Sequence, residues 1–172
     1  FFSLAILIEI ISKCENLKQV FFRSYSVFFI AGMVAVSWIS LSGIRDGADP
    51  FLIVGGLFIV AVYPLFFVLP SVVFYFVKKN IPEKFRIFSL FTFPFIWTGF
   101  EYVSSLGQIS FPWLLSGNSQ TYNLEKIQFA EITGVFGVSF WICLISVCLY
   151  FLISFIKINK EKFVSVKSIS LI

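Results

Sequence analysis

Histidine is absent from the 172-residue sequence, and Lys, Arg, Asp and Glu together supply only 13% of it. A soluble domain carries about 25% charged residues. The missing imidazole excludes His-based general base catalysis and His metal sites. Only three cysteines are present, Cys14, Cys143 and Cys148. Their spacing fits neither a zinc site nor a CxxC redox pair, so no metal, cofactor or thiol catalyst is expected among them. A single Met occurs, and the chain opens with Phe1 and stops at Ile172 inside a new apolar run. It is therefore expected to be an internal piece of a longer protein.

What is abundant is apolar. Hydrophobic residues make up 59%, Phe alone numbers 25, and mean hydropathy is +0.96. A water-exposed protein of this composition would be covered in adhesive patches. Lipid as solvent removes the problem, and the fold class follows: all-α, a polytopic transmembrane helix bundle.

Four long apolar runs, at 24–41, 51–77, 87–103 and 127–156, contain few charges. Each is near or above the ~17–25 residues that cross a hydrocarbon core. Residues 1–11 are too short to span and lack the basic flank and cleavage site of a signal peptide, so they are expected to be a truncated helix. A second truncated helix is expected from residue 163. The expectation is thus one transmembrane domain over 1–172, with about four complete spans.

The intervening loops alternate in basicity. Lys13, Lys18 and Arg23 lie in the first loop, Lys78, Lys79, Lys84 and Arg86 in the third, and Lys157, Lys160, Lys162 and Lys167 in the fifth. Those three hold eleven of the thirteen basic residues. By the positive-inside rule they face the cytoplasm, and the Gly43–Pro50 and Ser104–Lys126 loops face the periplasm or exterior. The net charge of +4 is thus a topology signal, and nucleic acid is not an expected partner. Pro64 and Pro70 should bend the second full span and Pro94 the third. Gly55-Gly56 and the Ala130/Gly134 pair should let helices approach closely.

One stretch is more specific. It reads Phe93-Pro94-Phe95-Ile96-Trp97-Thr98-Gly99-Phe100-Glu101-Tyr102, then Ser110-Phe111-Pro112-Trp113-Leu114 and Gly117-Asn118-Ser119-Gln120, then Ile127-Gln128 through Gly134-Val135-Phe136-Gly137-Val138-Ser139. It resembles the membrane domain of apolipoprotein N-acyltransferase: a Trp-x-x-x-Glu, a Gly-Phe-Pro-Trp loop, a Gly-x-Ser-Gln, and a helix opening with Gln and a Gly-x-x-Gly-Val step. Trp38 in Ser37-Trp38-Ile39 is a weaker family feature. Ser110 stands where the family usually has Gly, and Ser104 where many members have Arg.

The resemblance implies a bacterial inner-membrane enzyme that moves an acyl chain from a phospholipid onto a Cys thiolate. The chain then passes to the α-amino group of a diacylglyceryl lipoprotein. It implies that the catalytic nitrilase-like domain, with its Glu, Lys and Cys, follows the cut helix on the outer side. None of those catalytic roles transfers to residues present here. This piece would hold membrane lipids, seat the outer domain and be inactive alone. A small multi-pass transporter and a non-catalytic membrane scaffold are the competing readings.

Each candidate residue has a structural alternative. Trp97 and Glu101, four apart, share a helix face. They are either a polar anchor for the outer loop or an interfacial glutamate beside a belt aromatic. Phe111, Pro112 and Trp113 are interfacial anchors or, under the resemblance, a wall of a lipid groove. Ser119 and Gln120 cap the loop or meet a headgroup. Glu131 suits a helix N-terminus, and Gly134 and Gly137 suit helix packing.

Overall fold

The computed structural model describes residues 1–107, 112–122 and 124–169. The described residues form five α-helices and short 3-10 turns, with no strand among them. The helices are α1 (Phe2–Ser12), α2 (Leu17–Ser42), α3 (Phe51–Asn80), α4 (Phe93–Ser105) and α5 (Ala130–Ile169). Among the described residues, three segments are long and apolar enough to cross a membrane: Leu17–Ser42, Phe51–Asn80 and Ala130–Lys157. That is one fewer than the four runs predicted.

The difference lies in the run at 87–103. It divides into a 3-10 segment, Phe88–Thr92, and the 13-residue α4, with Pro94 in the first helical turn. Proline has no N–H to give, so it is tolerated at a helix start, where that donor would go unpaired anyway. Pro94 therefore begins a helix where a mid-span bend was predicted. At about 1.5 Å per α-residue and about 2.0 Å per 3-10 residue, the two pieces together reach about 30 Å, close to a hydrocarbon thickness.

α2 starts seven residues before its apolar run. Asn16 caps it by accepting from the Gln19 N–H (2.9 Å), while the Gln19 side chain accepts from the Glu15 N–H (3.0 Å). This near-reciprocal cap carries the helix through Lys18 and Arg23. At the other end of the chain, α5 continues to Ile169, so no separate helix begins at residue 163 and the fifth predicted loop is helical.

Packing is tightest between α2 and α3. A Cβ on Gly56 would collide with the Ser40 hydroxyl and lie 2.6 Å from its backbone nitrogen. The absent side chain is what permits this crossing. Gly55 meets only its own helix. One residue past the carbonyl that Pro64 leaves without its helical donor, Tyr25 on α2 donates to the Ala61 carbonyl (2.9 Å) and ties the two helices together. α1, α2, α3, α4 and α5 meet in one core that includes Leu7, Val20, Phe74, Phe93, Trp97 and Val147. Outward-facing positions remain apolar: Phe22, Val34, Phe58, Phe95 and Phe155 are all exposed. An exterior as apolar as the interior is the arrangement a lipid solvent favours.

The turns sort by charge. Lys13 pairs with Glu9 (2.8 Å), which also meets Lys157 of α5 (3.2 Å). Tyr75 near the end of α3 donates to the Glu15 carbonyl in the α1–α2 turn (2.9 Å). The first basic loop, the end of α3 and Lys157 thus share one end of the bundle. Replacing Gly56 by Leu should separate α2 from α3 and destabilise the fold by about 1–3 kcal/mol. A denaturant titration in detergent checks this, with Gly55→Leu expected to be near neutral.

Candidate functional site

α4 leads away from the basic end, and Trp97 in its second turn is enclosed by aromatic rings. The centroids of Phe28 and Phe67 are each 5.7 Å away and that of Phe93 is 5.6 Å away. One turn later comes Glu101, only 1% exposed. The interfacial reading of this glutamate therefore fails: it is enclosed by protein. A buried carboxylate is costly without donors, and the donors come from the helix itself and from the chain after it.

The segment Ser116–Gln120 forms a 3-10 turn packed against α5. The Ser116 backbone N–H donates to Glu101 Oε1 (2.8 Å), and the Trp97 indole N–H is shared between the same oxygen (2.9 Å) and Ser116 Oγ (2.9 Å). The next residue, Gly117, donates its N–H to Ser139 Oγ on α5 (2.8 Å). A Cβ on Gly117 would collide with the Val135 carbonyl, so the chain lies against α5 at a distance only glycine allows. Ser139 is eighteen residues before Lys157, about 27 Å along the helix. The loop is therefore fastened far from the basic end, between α4 and α5. Glu101 Oε2 is buried with no protein partner.

Beneath the loop lies a cavity of about 480 Å³. Its walls include Gly32 and Ala35 of α2, Pro64 and Phe67 of α3, Trp97, and Trp113 to Ser116 of the loop. A second cavity of about 370 Å³ on the α5 side is lined by Gln120, Phe129 and Trp141 among others. Both have largely apolar walls with a polar roof segment.

The predicted residues distribute as follows. Trp97 and Glu101 form the fastening. Trp38, at the far end of α2, and Trp113 are both exposed and meet edge to face, with centroids 6.2 Å apart and planes at 84°. Pro112 opens a 3-10 turn, Pro112–Leu114, and Phe111 lies outside the described residues. Ser119 donates to the Ser116 carbonyl (2.7 Å) and Gln120 to Ser119 (3.2 Å), so both brace the loop locally.

Gly134 and Gly137 differ from the helix-packing expectation. Gly134 has φ 66° and kinks the start of α5, and the space where its Cβ would stand is open. A positive φ, and not close approach, is what that position requires. Gly137 makes room for the side chain of Thr133, from the turn before the kink. Glu131 is exposed in that first turn. Ser116 was not singled out from sequence, and Gly117 and Ser139 entered only as members of the motif stretch, because nothing local marks which backbone N–H a distant carboxylate or hydroxyl will accept.

Removing the acceptor should matter more than replacing the carboxyl group by an amide. Glu101→Ala leaves the Ser116 N–H without a partner and should cost about 1–3 kcal/mol of stability in detergent, whereas Glu101→Gln retains an accepting oxygen and should cost less. Equilibrium unfolding of the two variants checks the order.

Known proteins are similar to this chain over most of its length. Residues 1–148 match the family described as apolipoprotein N-acyltransferase N-terminal domain. Among the relatives, apolipoprotein N-acyltransferase of Chlorobaculum tepidum is 35% identical over 87% of this chain and 25% of its own length. That of Geobacter metallireducens is 32% identical over 87% of this chain and 29% of its own. That of Coxiella burnetii is 31% identical over 78% and 27%. The chain thus spans roughly a quarter of the length of the curated relatives it matches. No solved structure gives a significant match.

Proposed function

Because the chain belongs to the apolipoprotein N-acyltransferase N-terminal domain family, we propose that residues 1–172 are one membrane domain of such an enzyme. In this reading the full-length protein transfers an acyl chain from a phospholipid to the N-terminal cysteine amine of a diacylglyceryl lipoprotein. The catalytic groups belong to another part of that protein. This domain contributes the lipid-facing groove and the platform on which the catalytic part sits.

The supporting observation is the loop held by Glu101 as a roof over the 480 Å³ apolar cavity. A phospholipid acyl chain needs an apolar wall along its length and polar groups where its ester begins. Phe67, Pro64 and Leu114 supply the wall, and Ser116, Asn118 and Ser119 lie at the roof. The fastening keeps the loop backbone from collapsing into that space. Trp113 and Trp38, joined at the rim, are placed to sit at headgroup depth.

The orientation follows from charge. With the basic end in the cytoplasm, the Gly43–Pro50 turn and the loop carrying Trp113 lie on the periplasmic side of the inner membrane. Reporter fusions should be active as periplasmic enzymes after residue 106 and inactive after Lys84. A cytoplasmic reading at residue 106 overturns the assignment.

Filling the cavity tests the groove itself. Ala35→Phe in the full-length protein should lower lipoprotein N-acylation about ten-fold or more while the protein accumulates normally in the membrane. The readout is the mass of a client lipoprotein's N-terminal peptide, diacylated or triacylated. Full acylation with the cavity blocked would exclude it as the acyl path.

A further inference from the structure

A different pocket, of about 240 Å³, lies at the basic end of the bundle. The α1–α2 turn, the last turns of α3 and the segment after α3 enclose it, with Ser12, Glu15, Tyr75, Lys78, Lys79 and Arg86 on its walls. Three cations thus face one carboxylate. Basic residues serving only as topology signals would spread over a solvated surface. Here they converge on a concavity between helices, and Lys78 is half-buried there.

The neighbouring groups leave this charge available. Glu9, the other nearby acid, is held by Lys13 and Lys157. Arg86 touches Glu83 through one nitrogen only, at 3.5 Å and with both side chains exposed, which leaves most of its donor fork unused. Lys79 stands 5.7 Å from the centroid of the Tyr75 ring, and the Tyr75 hydroxyl pins the α1–α2 turn through the Glu15 carbonyl. The Ser12 hydroxyl is buried with no protein partner. The C-terminal carbonyls of α3 disfavour an anion, and the lysines of its last turn offset them.

We propose that this pocket binds a phosphate group, carried by an anionic lipid headgroup or by a free phosphate. Arg86 supplies a planar fork suited to two phosphate oxygens, and Lys78 and Lys79 supply the remaining charge. Basic pockets between helices at a membrane surface take such headgroups. The inference is independent of the acyltransferase reading and concerns the opposite end of the bundle.

Native mass spectrometry of the delipidated full-length protein tests it, with phosphatidylglycerol, net-neutral phosphatidylcholine and inorganic phosphate as probes. Phosphatidylglycerol should be retained over phosphatidylcholine. Lys78→Gln and Arg86→Gln should each weaken its binding about five-fold, and Glu15→Gln should strengthen it. The Glu15 variant gives the opposite sign, which a folding defect cannot imitate. Inorganic phosphate binding with the same variant dependence, and no lipid preference, assigns the free ion as the source. Unchanged phosphatidylglycerol binding in both cation variants, or weakened binding in Glu15→Gln, overturns the proposal.

Discussion

One carboxylate oxygen, Glu101 Oε1, holds together a helix and a non-helical segment that would otherwise separate. In a membrane-embedded bundle, irregular backbone is tolerated only where protein satisfies its N–H and C=O groups. The Ser116 N–H finds its acceptor in Glu101, and the Gly117 N–H finds one in Ser139. Two donors converge on Glu101 Oε1 and offset part of the cost of burying the side chain, while Oε2 has no protein partner. At this end of the bundle the junction supports the roof of the cavity and the placement of Trp113 against Trp38, while the Gly117–Ser139 bond ties the same loop to α5.

An aromatic collar surrounds the junction. Trp97 can reach both Glu101 and Ser116 only with its indole held in one orientation, and Phe28, Phe67 and Phe93 hold it from three elements. Phe67 also stacks on Phe28 at 5.1 Å and meets Phe100 edge to face. Core packing and polar chemistry are therefore one arrangement here. The two ends of the bundle are chemically unlike: one gathers cations around a small polar pocket, the other has a tryptophan pair and largely apolar cavities.

Much of the architecture was legible because lipid imposes a simple rule on composition. Long apolar runs became α2, α3 and α5, and the basic Lys78-Lys79 pair falls at the end of α3, but the start of α2 at Leu17, set by the Asn16 cap, was not read from the sequence. The fourth run misled because hydropathy cannot distinguish a continuous helix from a 3-10 segment joined to a short α-helix. Only the proline position and its neighbours decide that. Gly134 misled in a related way, since a small residue in an apolar helix reads as a packing contact whether its backbone is helical or has a positive φ.

The sequence by itself determined the class of solvent, the three long apolar helices, the alternation of basic ends and, through the Trp97-to-Gly137 stretch, the family. These are properties of composition and of residues close along the chain. That Glu101 is buried, that its partner is a backbone N–H fifteen residues on, and that Gly117 lies against Val135 and Ser139 were decided only in three dimensions. A hydrogen-bond acceptor carries no mark of which distant donor it will meet. That choice is made when helices pack and an unsatisfied backbone group must find whatever polar atom the packing has left within reach.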